Sequence, residues 1–357
     1  MPDTTESWSL AELGFGPDFA LHFDEHRRAD FEPGRVAVQH KDEYGVLTEA
    51  AELVAQPSGR MRYEAPGLAH MPAVGDWVAL EPRSGGRATI HAILPRRTAF
   101  TRMSAGRSAE RQVVAANVDC VFLVSGLDGD LSPRRLERYL VVAWESGARP
   151  AIVLTKADLC EEIEACVAEV EQVALGVPVH VVSNVTGEGL DELRPYFAEG
   201  QTVAALGSSG VGKSTLVNRL LGSQLQAVAK VRADGRGRHT TTRRELIPLP
   251  DGGFFLDTPG MRELQLADAS SGFGGTFDDI AALASECRFS DCAHRHEPGC
   301  AVLGAIETGE LDPARMASYR KLERELAAAE RRLDARARAE SKKRWRRMER
   351  ARRKVSW

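Results

Sequence analysis

The chain has 357 residues, of which 43% are hydrophobic and 27% are charged, and its formal net charge is −4. This length suggests two or three domains, and the composition is typical of a soluble globular protein. The sequence has no run of about 18 apolar residues and no basic-then-apolar signal layout at its start, which argues against a membrane or secreted protein and predicts a cytoplasmic one.

The amino-terminal third is predicted to be a short extension followed by a small β-barrel. Residues 1–33 are expected to be helical or irregular. Between residues 34 and 98, five β-rich segments are separated by Gly or Pro: GRVAVQH, GVLTEAAELVAQ, GRMRYEA, GDWVALEP and RATIHAIL. Five such strands fit a barrel of the OB type, although another small barrel would have the same pattern. Trp77 and Tyr63 are candidates for stacking on bases, with a core position as the alternative.

The central part of the chain is predicted to be a doubly wound α/β domain. Residues 99–116 have no clean period and are predicted to be a linker. From residue 117 to residue 272, apolar strands such as VDCVFLVS and PAIVLTK alternate with segments of helical spacing, which is the pattern of a parallel sheet covered by helices. Ser132 and Pro133 are suited to begin the first of these helices.

The stretch GSSGVGKST has the spacing of a P-loop, and it lies between an apolar strand and a helix. Its glycines let backbone N–H groups turn toward phosphate oxygens. Lys213 is expected to reach the β and γ phosphates, and Ser214 to place its hydroxyl on Mg²⁺. The predicted nucleotide-binding residues of this loop are Gly207, Ser208, Ser209, Gly210, Val211, Gly212, Lys213, Ser214 and Thr215.

Two loops that follow other strands suit recognition of a guanine base. Asp158, in the sequence TKAD, can accept hydrogen bonds from the ring N–H and the amino group of guanine, and the stem of Lys156 can lie along the base. Adenine lacks this pair of donors, so the site should reject ATP. Ser183, in SNVTGEGL, can present its backbone to the guanine oxygen. Thr155, Lys156, Asp158 and Ser183 are therefore predicted to bind the nucleotide.

The sequence DTPG follows the strand GGFFL and is predicted to sense the γ-phosphate. Asp257 suits the Mg²⁺ shell, and Gly260 can turn its N–H toward that phosphate. The polar segment between the P-loop and DTPG is threonine-rich, and Thr242 is predicted to bind Mg²⁺, with Thr241 as the alternate. Ser214, Thr242 and Asp257 are thus the predicted magnesium ligands.

Residue 261, directly after DTPG, is Met, whereas many GTPases have Gln there to orient the attacking water. Methionine cannot orient water, so hydrolysis either awaits a partner or uses another residue. His239 is the candidate because its imidazole can accept a proton or a hydrogen bond near neutral pH. A contact of His239 with phosphate or RNA is the alternative. The predicted catalytic residues are His239, Lys213 and Thr242.

The motifs occur in a rotated order, with the base-recognition loops before the P-loop, the threonine-rich segment and DTPG. Cutting a parallel sheet between two strands and rejoining it elsewhere leaves the spatial arrangement of its loops unchanged. The order therefore predicts a circularly permuted GTPase domain.

Three of the six cysteines, Cys287, Cys292 and Cys300, lie within fourteen residues, with His294 and His296 between them. Three thiolates and one imidazole form a closed tetrahedral set, which predicts one structural Zn²⁺. Either histidine fits the fourth position, and unligated thiols are the alternative.

Further on, a helical pattern is followed by the tail at residues 341–357, which holds nine Lys or Arg against one Glu. This tail suggests a polyanionic partner, and a solvated tail without a partner is the alternative.

The motif order and the flanking segments together resemble the circularly permuted ribosome small-subunit-dependent GTPase A family. The resemblance depends on TKADL, GSSGVGKST, GRGRHTTT, DTPG and CRFSDCAHRHEPGC, and it spans residues 34–330. It implies an OB domain at the amino end, a permuted GTPase domain, and a zinc domain within residues 273–357 in which His294 is the fourth ligand. Thr155 stands where many GTPases have Asn, which predicts a weaker tether between the base loop and the P-loop.

The same resemblance implies a function and a partner. It implies GTP hydrolysis, with GDP as the product, that is stimulated by the small ribosomal subunit during late maturation of that subunit. The basic faces and the tail are then expected to contact rRNA phosphates, and the chain is expected to be a monomer without membrane contact. There are two competing hypotheses. The chain could be an RNA-binding module whose nucleotide is structural, or it could be an ATP-dependent assembly factor, which Asp158 argues against because it suits guanine.

Overall fold

The computed structural model describes residues 8–27, 30–40, 42–103, 110–222, 244–250, 252–257, 270–329 and 331. The chain divides into two compact units, Met1–Gln265 and Leu266–Trp357. Among the described residues, no helix combines the length and the apolar character that crossing a bilayer requires.

The first unit begins with a closed five-stranded barrel, as the sequence predicts. Its strands run in the order β1-β2-β3-β5-β4, and β1 also pairs with β4, which closes the barrel. All pairs are antiparallel except β3 with β5. The interior is filled by apolar side chains such as Val36, Val46, Val78, Leu80 and Ile90. The strands are β1 Glu32–Gln39, β2 Tyr44–Leu47, β3 Glu52–Pro57, β4 Trp77–Arg83 and β5 Arg87–Ile93.

Two barrel segments differ from their predicted form. The predicted strand GRMRYEA is the helix α2, Gly59–Glu64, because Ser58 Oγ accepts a hydrogen bond from the N–H of Met61 (3.1 Å) at its start. GVLTEAAELVAQ is two strands, β2 and β3, because Thr48 closes a turn between them with hydrogen bonds to both the N–H and the oxygen of Ala51. The number of strands therefore stays at five.

Trp77 belongs to the core and not to a nucleic-acid surface. Its side chain is fully buried, and its ring centroid lies 4.8 Å from that of Phe15 and 5.9 Å from that of Phe19. Phe19 lies on the short helix α1, Pro17–Phe23, so the predicted extension packs against the barrel. Tyr63, by contrast, is 91% exposed and remains available for contacts.

The segment predicted to be a linker contains a two-stranded antiparallel ribbon. Its strands are β6, Ala99–Met103, and β7, Arg111–Ala116, and Phe100 and Val114 bury their side chains in the hydrophobic core. The ribbon leads from the barrel into the α/β sheet. The sequence signal is weak because β7 has no alternation of buried and exposed residues: its last four residues are all buried.

The α/β part of the first unit has the predicted doubly wound fold. Its strands are ordered β10-β9-β8-β11-β13-β12, all parallel except β12, and β12 pairs with β1 of the barrel to give one continuous eleven-stranded sheet. The strands are β8 Cys120–Gly126, β9 Arg149–Thr155, β10 Val179–Val181, β11 Thr202–Leu206, β12 Arg244–Pro248 and β13 Phe254–Asp257.

The helices of this part alternate with the strands. The α-helices are α3 Pro133–Ser146, α4 Ile163–Glu171 and α5 Lys213–Leu221, and a 3₁₀ helix spans Leu190–Phe197. Ser132 and Pro133 stand at the start of α3, as predicted. The P-loop strand β11 is central in the sheet yet follows β8, β9 and β10 in the chain, which is the circular permutation that the motif order predicts. The carboxyl ends of the parallel strands therefore meet at one edge.

Arg35 of β1 joins the barrel to the opposite, amino-terminal edge of this sheet. Its guanidinium is 1% exposed and donates hydrogen bonds to the oxygen of Leu13 (2.5 Å) and to Thr202 Oγ1 (2.5 Å). It also lies 5.8 Å from the ring centroid of Trp77 and 5.2 Å from that of Phe254. Burial lowers the pKa of Arg35 to about 10, so the side chain is charged at neutral pH.

The second unit is helical in its described part. Arg315 is 4% exposed, and its guanidinium donates to both carboxylate oxygens of Asp279 (2.6 and 2.8 Å) and to the oxygen of Thr276 (2.9 Å). This bidentate pair and the bond to Thr276 tie the helix at residues 313–329 to the two helices that hold Asp279 and Thr276. The helices are α6 Ser270–Thr276, α7 Asp278–Ser285, α8 Ala301–Thr308 and α9 at residues 313–329.

Candidate functional site

The P-loop joins the end of β11 to the start of α5, as its sequence predicts. Gly207 and Gly212 have φ values of +155° and +93°. A Cβ at Gly207 would lie 2.4 Å from the oxygen of Val124, and one at Gly212 would lie 2.9 Å from Asn184 Nδ2. Neither position therefore admits a side chain. The loop is held close to the neighbouring strand and leaves its N–H groups at the start of a helix, where anions are favoured.

The side chain of Lys213 folds back over the P-loop. Its Nζ donates hydrogen bonds to the oxygens of Gly207 (2.7 Å) and Ser208 (2.5 Å). An ammonium group held here lies beside the position that the loop leaves for phosphate oxygens. Ser214 and Thr215, the next residues of α5, are exposed at this edge, whereas Val211 is buried in the core of the unit.

Thr155 ties the first base loop, residues 155–158, to the P-loop; the second base loop is residues 183–189. Its side chain is fully buried, and Oγ1 donates to the oxygen of Val211 (2.6 Å) and lies 3.3 Å from the oxygen of Ser125. The sequence predicts a weaker tether because threonine stands where many GTPases have asparagine. Thr155 ends β9 and the P-loop follows β11, and both strands pair with β8, so the hydroxyl can reach the P-loop.

Asp158 and Ser183 come from different loops and meet side chain to side chain. Ser183 Oγ donates to Asp158 Oδ1 (2.5 Å) and accepts from the N–H groups of Val185 (3.2 Å) and Thr186 (3.1 Å). The sequence assigned Ser183 a backbone role, and the structure adds this side-chain contact. Ser183 is buried whereas Asp158 is exposed, so a buried serine orients an exposed carboxylate.

Lys156 lies beside Asp128, a residue that the sequence reading missed. The backbone of Lys156 is left-handed, with φ of 62°, and its Nζ forms an ion pair with the carboxylate of Asp128. The Lys156 ammonium holds the pKa of Asp128 below its usual value. Asp128 comes two residues after the end of β8, and residues just beyond the carboxyl ends of parallel strands often form the binding site. That position in the sequence could have identified it.

Asn184 and Arg219 also connect the second base loop to the P-loop and its helix, and neither was predicted. Asn184 Nδ2 donates to the oxygen of Gly212 (3.3 Å). Arg219, on α5, donates from Nε to the oxygen of Asn184 (2.7 Å) and from Nη2 to that of Val185 (2.9 Å). No local pattern marks these residues, because each contact joins positions 28 or more residues apart in the chain.

The remaining predicted residues of this site are only partly described. Asp257 ends β13, which is the strand beside β11, so it lies at the same sheet edge as the P-loop. Asp257 and Ser214 offer a carboxylate and a hydroxyl, which are oxygen ligands that suit Mg²⁺. The predicted residues His239, Thr241, Thr242, Gly260 and Met261 lie outside the described part of the chain.

The second unit brings Cys287, Cys292, His294 and Cys300 together, with their ligand atoms all within 4.8 Å of one another. His294 Nδ1 lies 3.5 Å from Cys287 Sγ and 3.4 Å from Cys300 Sγ, and the last two sulfurs are 3.9 Å apart. Atoms bound tetrahedrally to zinc at about 2.0–2.3 Å are separated by distances of this size. His296 does not belong to this group, so the geometry selects His294.

The loop between the second and last cysteines is shaped by Glu297. Its carboxylate accepts hydrogen bonds from the backbone N–H groups of Ala293 (3.1 Å), Arg295 (2.7 Å) and His296 (2.9 Å). These bonds, led by the one from His296, lower the pKa of Glu297 to about 2. The loop turns sharply at His294, with φ of 55°, and the oxygen of His294 accepts a hydrogen bond from Arg320. These contacts hold the loop that carries His294.

Comparison with known proteins agrees with this arrangement. A sequence model described as RsgA GTPase matches residues 93–267. A relative from Lactiplantibacillus plantarum, named small ribosomal subunit biogenesis GTPase RsgA 2, is 50% identical over 82% of this chain and 83% of its own. One from Opitutus terrae, named small ribosomal subunit biogenesis GTPase RsgA, is 48% identical over 95% of this chain and 96% of its own.

Two solved structures share the fold. YjeQ from Thermotoga maritima is similar with a TM-score of 0.62 at 28% identity, over 83% of this chain and 99% of that one. YloQ, described as a circularly permuted GTPase, is similar with a TM-score of 0.61 at 27% identity, over 84% of this chain and 96% of that one. The family uses a guanine nucleotide and Mg²⁺. This chain therefore belongs to the RsgA GTPase family and is a circularly permuted, GTP-hydrolysing enzyme.

Proposed function

We propose that the chain hydrolyses GTP in response to the small ribosomal subunit and acts in the late maturation of that subunit. The observation that supports this best is the meeting of the loops at residues 155–158 and 183–189 with a P-loop, in a chain whose relatives are named for small-subunit biogenesis.

Guanine recognition is assigned to the carboxylate of Asp158, supported by Ser183, with Lys156 along the base and Thr155 holding the base loop on the P-loop. An oriented carboxylate accepts two hydrogen bonds from guanine, and adenine has no matching donors. Lys213 neutralises the β and γ phosphates. The whole loop contributes to binding, through Gly207, Ser208, Ser209, Gly210, Val211, Gly212, Lys213, Ser214 and Thr215.

Hydrolysis is assigned to Mg²⁺ and a positioned water. Ser214, Thr242 and Asp257 would bind the ion, and Gly260 would contact the γ-phosphate. The ion would supply charge stabilisation of the transferred phosphoryl group. His239 would orient the attacking water, since Met261 offers no polar atom for that purpose. The variant His239→Ala should therefore bind GDP normally and lose turnover that depends on the partner.

One structural Zn²⁺ is assigned to Cys287, Cys292, His294 and Cys300. All four positions of a tetrahedral ion are then filled by protein atoms, which leaves no place for a substrate. The metal would hold the loop at residues 287–300 against the start of α8, where Cys300 Sγ already accepts the N–H of Leu303 (3.5 Å). A helical unit of this size is expected to depend on such an ion for its folding.

The partner proposed is the small ribosomal subunit, contacted through its rRNA by basic segments that include residues 341–357. Nine positive charges against one negative charge in that stretch suit a phosphate backbone. A protein that meets ribosomal subunits works in the cytoplasm, and we expect it to bind them as a monomer.

Sedimentation of the full-length chain with purified ribosomal subunits tests the partner. The chain should sediment with small subunits and not with large ones, and a non-hydrolysable GTP analogue should increase the bound fraction over GDP. The variant Lys213→Ala is the control, because it should lose the difference between the two nucleotides. Equal binding to both subunits, with either nucleotide, would contradict the proposed function.

A further inference from the structure

We propose that Asn184 is a positioning residue that joins the second base loop to the P-loop, so that the base and the phosphates bind to one rigid frame. Asn184 and Arg219 form what we call the clasp. This inference rests on the proposed guanine nucleotide site and deepens it. It assigns a role to two side chains that no sequence motif marks.

The first half of the clasp runs from the base loop to the P-loop. Asn184 Nδ2 donates to the oxygen of Gly212 (3.3 Å), the residue directly before Lys213. The carboxamide fits there only because residue 212 is glycine, since a Cβ would lie 2.9 Å from Nδ2. Thr155 Oγ1 holds the adjacent oxygen of Val211. Two consecutive P-loop carbonyls are thus held by side chains from two different base loops.

The second half runs in the opposite direction, from the P-loop helix to the base loop. Arg219 lies on α5, and its guanidinium binds the backbone oxygens of Asn184 (2.7 Å) and Val185 (2.9 Å). Asn184 therefore contributes its side chain to the P-loop and its backbone oxygen to the P-loop helix. Ser183, the preceding residue, hydrogen-bonds to Asp158. A displacement of Asn184 would consequently move the carboxylate proposed to recognise guanine.

The stability of the fold does not account for Asn184. Its side chain is 8% exposed, and its Oδ1 has no hydrogen-bond partner within the described residues. A buried, unpaired carbonyl oxygen destabilises a fold. The oxygen of Gly212 already accepts the N–H of Leu216 (2.8 Å) in the first turn of α5, so it does not require Nδ2. A residue that breaks a packing rule without benefit to the fold is expected to serve a functional site.

The test measures GDP affinity and melting temperature on the full-length chain, purified free of nucleotide. GDP is used because it is not hydrolysed, and a fluorescent label on its ribose reports binding. Asn184→Ala should raise the Kd for GDP about three- to tenfold, the effect of one modest hydrogen bond. Its melting temperature without nucleotide should stay the same or rise. Leu175→Ala is the matched control, since Leu175 is 61% exposed and lies in neither base loop, and it should change neither quantity.

Arg219→Ala provides a second, independent variant. It should weaken GDP binding in the same direction, and the double variant should be weaker than wild type by less than the product of the two single effects. Asn218→Ala, the exposed neighbouring position on α5, should bind GDP as the wild type does.

Two results would overturn the clasp: unchanged GDP affinity in both Asn184→Ala and Arg219→Ala, or affinity that falls only together with the melting temperature. The second result would indicate a purely structural role. If the proposed guanine nucleotide site were itself wrong, the wild type would show no preference for GDP over ADP, which distinguishes that case from the loss of the clasp.

Discussion

Thr155 illustrates how the contacts of a single side chain can differ from what its motif predicts. A threonine in place of asparagine suggests a weak link between the base loop and the P-loop, yet its hydroxyl donates to the oxygen of Val211 at 2.6 Å. The link exists because the neighbouring strands hold Thr155 in the buried interior, where it is 0% exposed. Asn184 supplies a carboxamide from the following loop. A carboxamide that hydrogen-bonds to the P-loop is therefore present at this site, but it comes from position 184 and not from position 155.

Asp158→Asn should change the base preference of the site. An amide offers one acceptor and one donor, so it loses a hydrogen bond to guanine and gains one to xanthine, which carries an oxygen in place of the amino group. We expect GDP affinity to fall by about a hundredfold or more and xanthosine diphosphate to become the better ligand. Competition of the two nucleotides for the labelled GDP site measures this.

Ser183→Ala is the matched control for that substitution. It removes the 2.5 Å hydrogen bond to Asp158 without changing the acceptors offered to the base. GDP binding should weaken by only about fivefold, and guanine should remain preferred. An unchanged ratio of GDP to xanthosine diphosphate affinity in Asp158→Asn would contradict the assignment of Asp158.

At the scale of elements, the sequence predicts those features that depend on local pattern. Continuous apolar runs predict the buried strands β8, β9 and β11, and their positions place the motif loops at one sheet edge. GRMRYEA was wrong as a strand because Ser58 caps a helix there and Arg60 pairs with Glu64 one turn later (2.9 Å). In so short a segment these local contacts outweigh β propensity.

Contacts between elements could not be predicted. Lys156 with Asp128 and Asn184 with Gly212 each join residues 28 positions apart, and Arg219 reaches back 35 positions to Asn184. They exist because the parallel strands end side by side, and a single sequence does not reveal which loops then become neighbours. The spacing of the two histidines does not distinguish His294 from His296 as the fourth ligand, and only the folded loop does.

Arg35→Met should destabilise the first unit through the junction between the barrel and the α/β sheet. The methionine fills similar space but leaves the oxygen of Leu13 buried without its donor (2.5 Å) and removes the contact with Thr202. We expect a loss of about 2–3 kcal/mol in the free energy of unfolding. The urea midpoint of the variant measures the loss.

Arg62→Ala serves as the control for the loss of an arginine, because Arg62 is exposed on α2. It should lie within about 0.5 kcal/mol of the wild type. If Arg35→Met were as stable as the wild type, the hydrogen bonds of the buried guanidinium would contribute nothing to this junction.

At the scale of the whole molecule, the chain consists of two units stabilised in different ways. The first has an eleven-stranded sheet with extensive apolar clusters on its faces. The second is helical, and among its described residues the buried apolar side chains are few; they include Phe277, Ile280, Val302, Leu311 and Met316. A unit with so little apolar burial needs an additional cross-link, which the Cys₃His group can provide through zinc.

Removal of zinc should therefore affect the two units unequally. A strong chelator should release about one zinc ion per chain and reduce the helical circular dichroism signal, because the second unit loses its metal. The Kd for GDP should change by less than about twofold, since the nucleotide site lies entirely in the first unit.

Cys292→Ala should reproduce the effect of the chelator, whereas Cys166→Ala, a cysteine outside the group, should retain zinc. Metal content measured by mass spectrometry distinguishes the two variants. Full zinc occupancy in Cys292→Ala would contradict the ligand set.

The most direct test of a response to the small ribosomal subunit is the release of phosphate from GTP by the full-length chain, with small subunits, with large subunits or alone. We predict slow turnover alone and with large subunits, and stimulation of about tenfold or more with small subunits, as expected when a partner completes a GTPase site. Equal turnover in all three reactions would contradict the claim that this enzyme responds to the small ribosomal subunit.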